Sequence, residues 1–291
     1  MHRNAAMALI LLGGTCMSFV GLLMRLIDSA DGFQILAYRS VSLAVIVMLV
    51  ACLKRRVWPI TFFRQLDLND LAMGATLAIA FMTYVFAMLW TSVASTLFIL
   101  TAAPFLAALI GWVWIGERPR PVVWIAMIGA TFGVGLMIED GISLGRNAGN
   151  LMALLSAVMF AVMLVLARRS RKTDVLGGTF LGGVFAGILG ILCAAVLSNS
   201  LVLGAYDMGL ILFMGAFTIG IGIAFVTWGA PFLPAAEVSL LVLIESVLGP
   251  IWVWVFLGEA MSGVELFGGT IVLVSVCLMS LVGKKKRLRS V

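Results

Sequence analysis

The sequence predicts an all-α polytopic membrane protein of ten transmembrane helices, arranged as two inverted five-helix repeats. Three observations lead there. Of the 291 residues, 63% are hydrophobic and 11% charged, whereas a soluble domain is about half apolar and about a quarter charged. Such an excess has no room inside one soluble core. The basic residues gather in alternate breaks between the apolar runs, and a short pattern recurs halfway along the chain.

Apolar runs of about 20 residues, the length that spans a bilayer, follow one another at 5–27, 35–53, 71–90, 93–115, 121–138, 150–167, 176–197, 208–230, 235–257 and 263–283. The first run is too long for the apolar part of a signal peptide and lacks an A-x-A-like exit, so it reads as span 1. "DSADG" separates spans 1 and 2, and "KRRVWPITFFRQLDLND" separates spans 2 and 3. "WTS", "GERPRP", "EDGISLGRNAG" and "RRSRKTD" divide spans 3 to 7, and "SNSLVLGAYD", "PFLP" and "GEAMSG" divide the rest. None of these breaks is long enough to be a soluble domain.

Orientation follows from Lys and Arg. With a cytoplasmic N-terminus and ten alternating spans, the inner segments hold Arg3, the Lys54–Arg64 loop, Arg118 and Arg120, the Arg168–Lys172 loop and the tail "KKKRLR" at 284–289. These account for 16 of the 19 basic residues, and the positive-inside rule then places both termini in the cytoplasm. Arg146 lies in an outer loop, and Arg25 and Arg39 sit at span ends near the outer face. The net charge of +6 is therefore a topology signal, and no nucleic-acid partner is implied. The tail is a topology anchor placed to meet anionic headgroups of the lipid bilayer.

A shift of 142 residues lays "WVWIGE" (112–117) on "WVFLGE" (254–259), and a shift of 145 lays "MAL" (7–9) on "MAL" (152–154). The near-constant offset divides the chain into a first repeat at 1–148, a second at 149–283 and a basic tail at 284–291. Five spans per half is an odd number, so the second half enters the membrane upside down. Glu117 then lies at the inner face and Glu259 at the outer. Two inverted halves form an architecture common in secondary transporters.

"TSVASTLFILTAAPFLAALIGWVWIGE" (91–117) resembles the fourth-helix signature of EamA-type carriers in the drug/metabolite transporter superfamily, and "PAAEVSLLVLIESVLGPIWVWVFLGE" (234–259) resembles its second copy. Glu245 stands where the family usually has the Glu of Glu-Pro, with Ser246 in place of that Pro and Pro250 four residues on. "GNLMALLSAVMFAVMLVLARR" (149–169) is similar to the opening of the family's second half, and Arg39 matches an Arg often seen at the start of the second helix. The resemblance implies a central cavity lined mainly by helices 1, 3, 4, 6, 8 and 9, with helices 5 and 10 peripheral. It implies a small-molecule substrate, no cofactor and a bacterial inner-membrane location. Among members the chain looks most like the YddG-type exporters of aromatic amino acids. The expectation is a secondary carrier exporting small amphipathic metabolites; a membrane enzyme acting on lipid or isoprenoid, and a passive channel, are the alternatives.

The expected substrate-binding residues are Met17, Tyr84, Thr101, Met163, Trp228 and Glu245. Tyr84 and Trp228 lie within spans, and buried Tyr and Trp need partners for their polar tips. Met17 and Met163, like Met82 and Met159, fall mid-span and offer polarizable surface to apolar ligands. Glu245 lies near mid-membrane, with no Lys or Arg in its own span. A charge there costs about 2.5–3.5 kcal/mol unless it faces water, finds a partner or takes up a proton. Pro104 and Pro250 each free a carbonyl one turn earlier, at Leu100 and Ser246.

Other features read as structural. Trp90, Trp112, Trp114, Trp124, Trp252 and Trp254 lie at span ends as interfacial anchors. "GATFG" (129–133) is a close-packing motif, within the fold or across a homodimer. "GISLG" (141–145) matches a hydrolase nucleophile motif, but the sole histidine is His2, on the other side of the membrane in this topology. The four cysteines lie in or beside apolar runs without metal-ligand spacing.

Overall fold

In the computed structural model, which describes residues 2–116, 119, 121–143, 145–170, 174–198, 201–233 and 235–285, helices begin where short acidic residues precede apolar runs. Asp31 accepts from the N–H groups of Phe33 and Gln34, while the Gln34 side chain accepts from the Asp31 N–H, closing a capping box on α3 (Gly32–Arg55). Asp67 and Asp70 do the same for α5 (Leu68–Trp90). Expectations resting on Glu117, Arg118, Arg120, Arg171, Lys172 and the tail from Lys286 fall outside the described residues.

The described residues are helical, without strands. Eight helical segments are long and apolar enough to cross a membrane: Arg3–Arg25, Gly32–Arg55, Leu68–Trp90, Val93–Ile115, Val123–Ile142, Asn147–Arg169, Leu176–Leu197 and Ala205–Phe232. Two shorter apolar helices, Ile244–Leu257 and Gly263–Leu278, follow. The ninth run is shorter than its sequence suggests because the helix breaks at Leu243, leaving α13 (Ala235–Val242) and α14 (Ile244–Leu257).

Span 1 is likewise divided, at Phe19, into α1 (Arg3–Ser18) and α2 (Val20–Arg25). Pro104 divides span 4 into α6 (Val93–Leu100) and α7 (Ala103–Ile115). The remaining long helices are α8 (Pro121–Ser143), α9 (Asn147–Arg169), α10 (Leu176–Cys193) and α15 (Gly263–Lys285), with the short α4 (Pro59–Arg64) between α3 and α5. Between α11 (Ala205–Met214) and α12 (Gly222–Gly229), residues Gly215–Ile221 form a π-helix.

The repeat reappears in backbone geometry. α7 and α14 both end on a glycine in the left-handed region, Gly116 at φ 79° and Gly258 at φ 70°, one repeat offset apart. The break after Leu100 and the break at Leu243 are separated by nearly the same offset. Packing follows the same exchange of halves. α1 packs on α12 as α9 packs on α5; α10 packs on α5 as α3 packs on α11 and the π-helix; α1 packs on α14 as α9 packs on α7. The pairs α3 with α10 and α8 with α15 each join a helix to its own counterpart, and α6 with α14 joins the two broken spans, 4 and 9.

The α8–α15 pair uses the "GATFG" motif inside the chain. A Cβ on Gly133 would lie 2.6 Å from the Gly268 carbonyl oxygen, and one on Gly268 would lie 2.7 Å from that of Gly133. Gly133→Val should therefore force the pair apart and cost about 1–3 kcal/mol, read as a lowered melting temperature of the purified protein. An unchanged melting temperature would mean that the close approach is not required.

Candidate functional site: the central cavity

A cavity of about 440 Å³ lies between the two halves, within the ~300–1,000 Å³ range of small-molecule sites. It is walled by Met17 and Val20 of α1 and α2, Phe81 and Tyr84 of α5, Thr101 and Pro104 at the α6–α7 break, Phe160 and Met163 of α9, Ile223 and Thr227 of α12, and Glu245 and Ser246 of α14. α10 and α15 add Thr179 and Val276 at its edges.

The structure brings Met17, Tyr84, Thr101, Met163 and Glu245 to this one cavity. Trp228 stands outside it and is 38% exposed. The wall of this segment is built from Ile219, Ile223, Val226 and Thr227, and the next residue turns about 100° further round the helix. Met82 and Met159 are also absent from the wall. Each break in span 4 and span 9 places small polar residues at mid-depth. The Thr101 hydroxyl bonds the Leu97 carbonyl and lies 2.8 Å from the Ser246 hydroxyl across the repeat boundary. Pro250 stays inside α14 and does not mark the break.

Most wall hydroxyls are occupied by the protein itself. Ser156 donates to Ala80, Thr179 to Val175, and Thr227 to Ile223 and Ala224. Among the described residues, the Glu245 carboxyl group has neither a hydrogen bond nor an ion pair, and it is the one acidic side chain in the wall, which holds no basic one. Tyr84 is within electrostatic reach of both Glu245 and Arg39.

Arg39 is a correction to the sequence reading. It does not sit at a span end but lies eight residues into α3 and is 0% exposed. Its guanidinium carbon lies 5.4 Å from the Phe81 ring centroid and 5.6 Å from that of Tyr84. None of its three side-chain nitrogens has a hydrogen-bond partner. Each cation–π contact contributes only about 0.5–2 kcal/mol, which leaves the burial of five donors uncompensated.

The two ends of the cavity differ. At one end Phe160, Leu164, Val175, Val226, Thr227 and Val238 are all partly exposed. At the other, a polar network joins helix ends. Arg25 at the end of α2 grips Glu259 with two bonds, at 2.6 and 3.2 Å, and donates to the carbonyls of Met88 and Thr91. The Val93 N–H donates to the same carboxylate at 3.1 Å. Nearby, Glu265 accepts from Ser92 at 2.5 Å and Ser95 at 2.9 Å and pairs with Arg146 at 3.4 Å. Thr91 donates to Asn150 at 2.7 Å, and Asn150 donates to the Met137 carbonyl at 3.0 Å.

Burial acts to raise the Glu259 carboxyl, but the bonds and charge of Arg25, the Val93 N–H and the charge of Arg146 outweigh it and hold the group below the usual carboxylate value. Below this network Trp252 stacks on Phe19 at 5.0 Å and donates to Ser18 at 2.9 Å. Trp252 therefore joins α14 to the break in span 1 and is not an interfacial anchor. The ion pair links residues 234 apart, and no local sequence signal marks it.

Among 20 matching solved chains, one aligns over 97% of this chain and 99% of its own length, with a TM-score of 0.69 and 19% identity. At that identity the likeness shows the fold alone. No curated protein matches the sequence. The model of the EamA-like transporter family matches twice, at residues 4–138 and 147–281, which together cover most of the chain. The chain thus belongs to the EamA-like transporter family of the drug/metabolite transporter superfamily, multi-pass membrane proteins that carry small solutes.

Proposed function

We propose that this protein is a secondary carrier exporting small amphipathic metabolites, aromatic and other neutral amino acids first, by alternating access through the central cavity. Ten helices cross the bilayer in two inverted repeats, 1–148 and 149–283, with both termini in the cytoplasm. The observation that carries this reading is a cavity at the boundary of the halves, exposed at one end and tied shut by a charged network at the other. An apolar wall with one unpaired carboxylate suits a ligand that is largely apolar and carries an ammonium group. Phe81, Tyr84 and Phe160 offer faces to an aromatic ring. The exposed end faces the cytoplasm by the positive-inside rule, so this is the loading state of an exporter.

The purified full chain in lipid vesicles should show saturable counterflow of neutral amino acids, stimulated by the same amino acid on the far side. Flux that rises linearly with concentration and shows no such stimulation would make it a channel. Topology has its own test on a background without native cysteines. Ala148→Cys should react with an impermeant thiol reagent in intact cells, and Ser170→Cys should not. The reverse pattern would overturn the orientation.

A further inference from the structure

We infer that Arg39 forms the carboxylate-binding half of the cavity, so that the substrate is a zwitterion held by its ammonium group at Glu245 and by its carboxylate at Arg39. The inference rests on the amino-acid reading above. It starts from two opposite charges that the fold leaves without partners. The Glu245 carboxylate faces the cavity. The Arg39 guanidinium lies one aromatic layer behind the wall, against the rings of Phe81 and Tyr84. Tyr84 is within electrostatic reach of both.

A fully buried guanidinium with no acceptor for Nε, Nη1 or Nη2 is rare, because a buried charge is expensive unless it is paired. Its planar fork of donors matches a carboxylate in two parallel bonds. No carboxylate of the described residues occupies that fork, and the inference assigns the missing acceptor to the solute. The carboxylate of an amphipathic solute in the cavity needs only the Phe81–Tyr84 layer to turn aside. The packing behind Arg39 holds its backbone in place: Gly215 of the π-helix sits against its carbonyl, where any Cβ would collide. With the backbone so fixed, the approach to the cavity falls to the long side chain, past the Phe81 and Tyr84 rings. Until a zwitterion arrives the two charges stay apart, and the ligand neutralises both when it binds.

The test is counterflow into vesicles with four probes: phenylalanine; phenylalaninamide, which lacks the carboxylate; phenethylamine, which lacks it altogether as a substituent; and 3-phenylpropionate, which lacks the ammonium group. The parent should favour phenylalanine over the other three. Arg39→Gln should lower phenylalanine flux on the order of 30-fold, as expected when one partner of a buried charge pair is removed. It should leave phenylalaninamide flux nearly unchanged, and Arg39→Lys should restore part of the loss. Equal loss for all four probes, or none for phenylalanine, would overturn the inference. If the variants fail to fold, the parent decides: equal transport of phenylalanine and its amide would overturn it as well. A parent that carries none of the probes overturns the amino-acid reading itself, whereas a parent that carries them without regard to Arg39 overturns only this assignment.

Discussion

Glu245→Gln is expected to fold and insert like the parent yet lose counterflow of ammonium-bearing solutes by about 10- to 100-fold, the cost of exchanging a charged hydrogen-bond acceptor for a neutral one. Gln keeps the shape and the hydrogen-bonding capacity, so packing around α14 is preserved. What disappears is the one acidic side chain in the cavity wall. The carboxylate has no protein partner among the described residues, so a purely structural role, in which it ties two helices together, has no bond to act through. Glu245→Ala should be no more stable than Glu245→Gln and should transport no better. Unchanged transport by Glu245→Gln across all ammonium-bearing probes would remove this residue from recognition.

Glu259→Gln is expected to loosen the closed end and admit reagents from that side. The carboxylate joins Arg25 and the Val93 N–H, and Arg25 in turn holds the carbonyls of Met88 and Thr91. One substitution therefore uncouples α2, α5, α6 and the end of α14. Breaking a buried charge pair costs about 2–5 kcal/mol. Here the Arg25 and Glu259 side chains are 23% and 26% exposed, so solvent screening reduces this to about 1–2 kcal/mol. That still changes the ratio of closed to open molecules by roughly tenfold.

Acid should act in the same direction. The folded-state value of Glu259 is depressed, so its contribution is fully present above the ordinary carboxylate range and is lost as pH falls through the lowered value. Labelling of Val20→Cys by an impermeant reagent from the closed side should rise in Glu259→Gln and, in the parent, at low pH. Labelling that is indifferent to both would show that other bonds keep this end shut.

The spans were legible because each needs only a run of apolar residues, and the repeat because Gly116 and Gly258 recur at the ends of α7 and α14. Glu245 and Tyr84 stood out as polar groups in apolar runs. The direction of a side chain was harder to read. In a membrane helix the lipid-facing and core-facing sides are both apolar, so periodicity does not mark the inner face. Trp228 fell on the wrong side for that reason, one residue past Thr227 and downstream of a π-helix that shifts the register. Arg39 and Trp252 were misread by position alone: a residue near a span end was assigned to the interface, whereas packing drew both inward. The Arg25–Glu259 pair was hidden by separation along the chain, since each residue alone is an ordinary charge beside a span.

The most direct test is the accessibility of Ser246→Cys, at the cavity wall, on a background without native cysteines. A carrier with one site reached alternately is labelled by an impermeant reagent from the cytoplasmic side at rest and is protected by a transported solute. It gains labelling from the opposite side, at the expense of the cytoplasmic side, when Glu259→Gln loosens the closed end. Equal labelling from both sides in the resting parent, or labelling that no transported solute slows, would contradict a central site that opens to one side at a time.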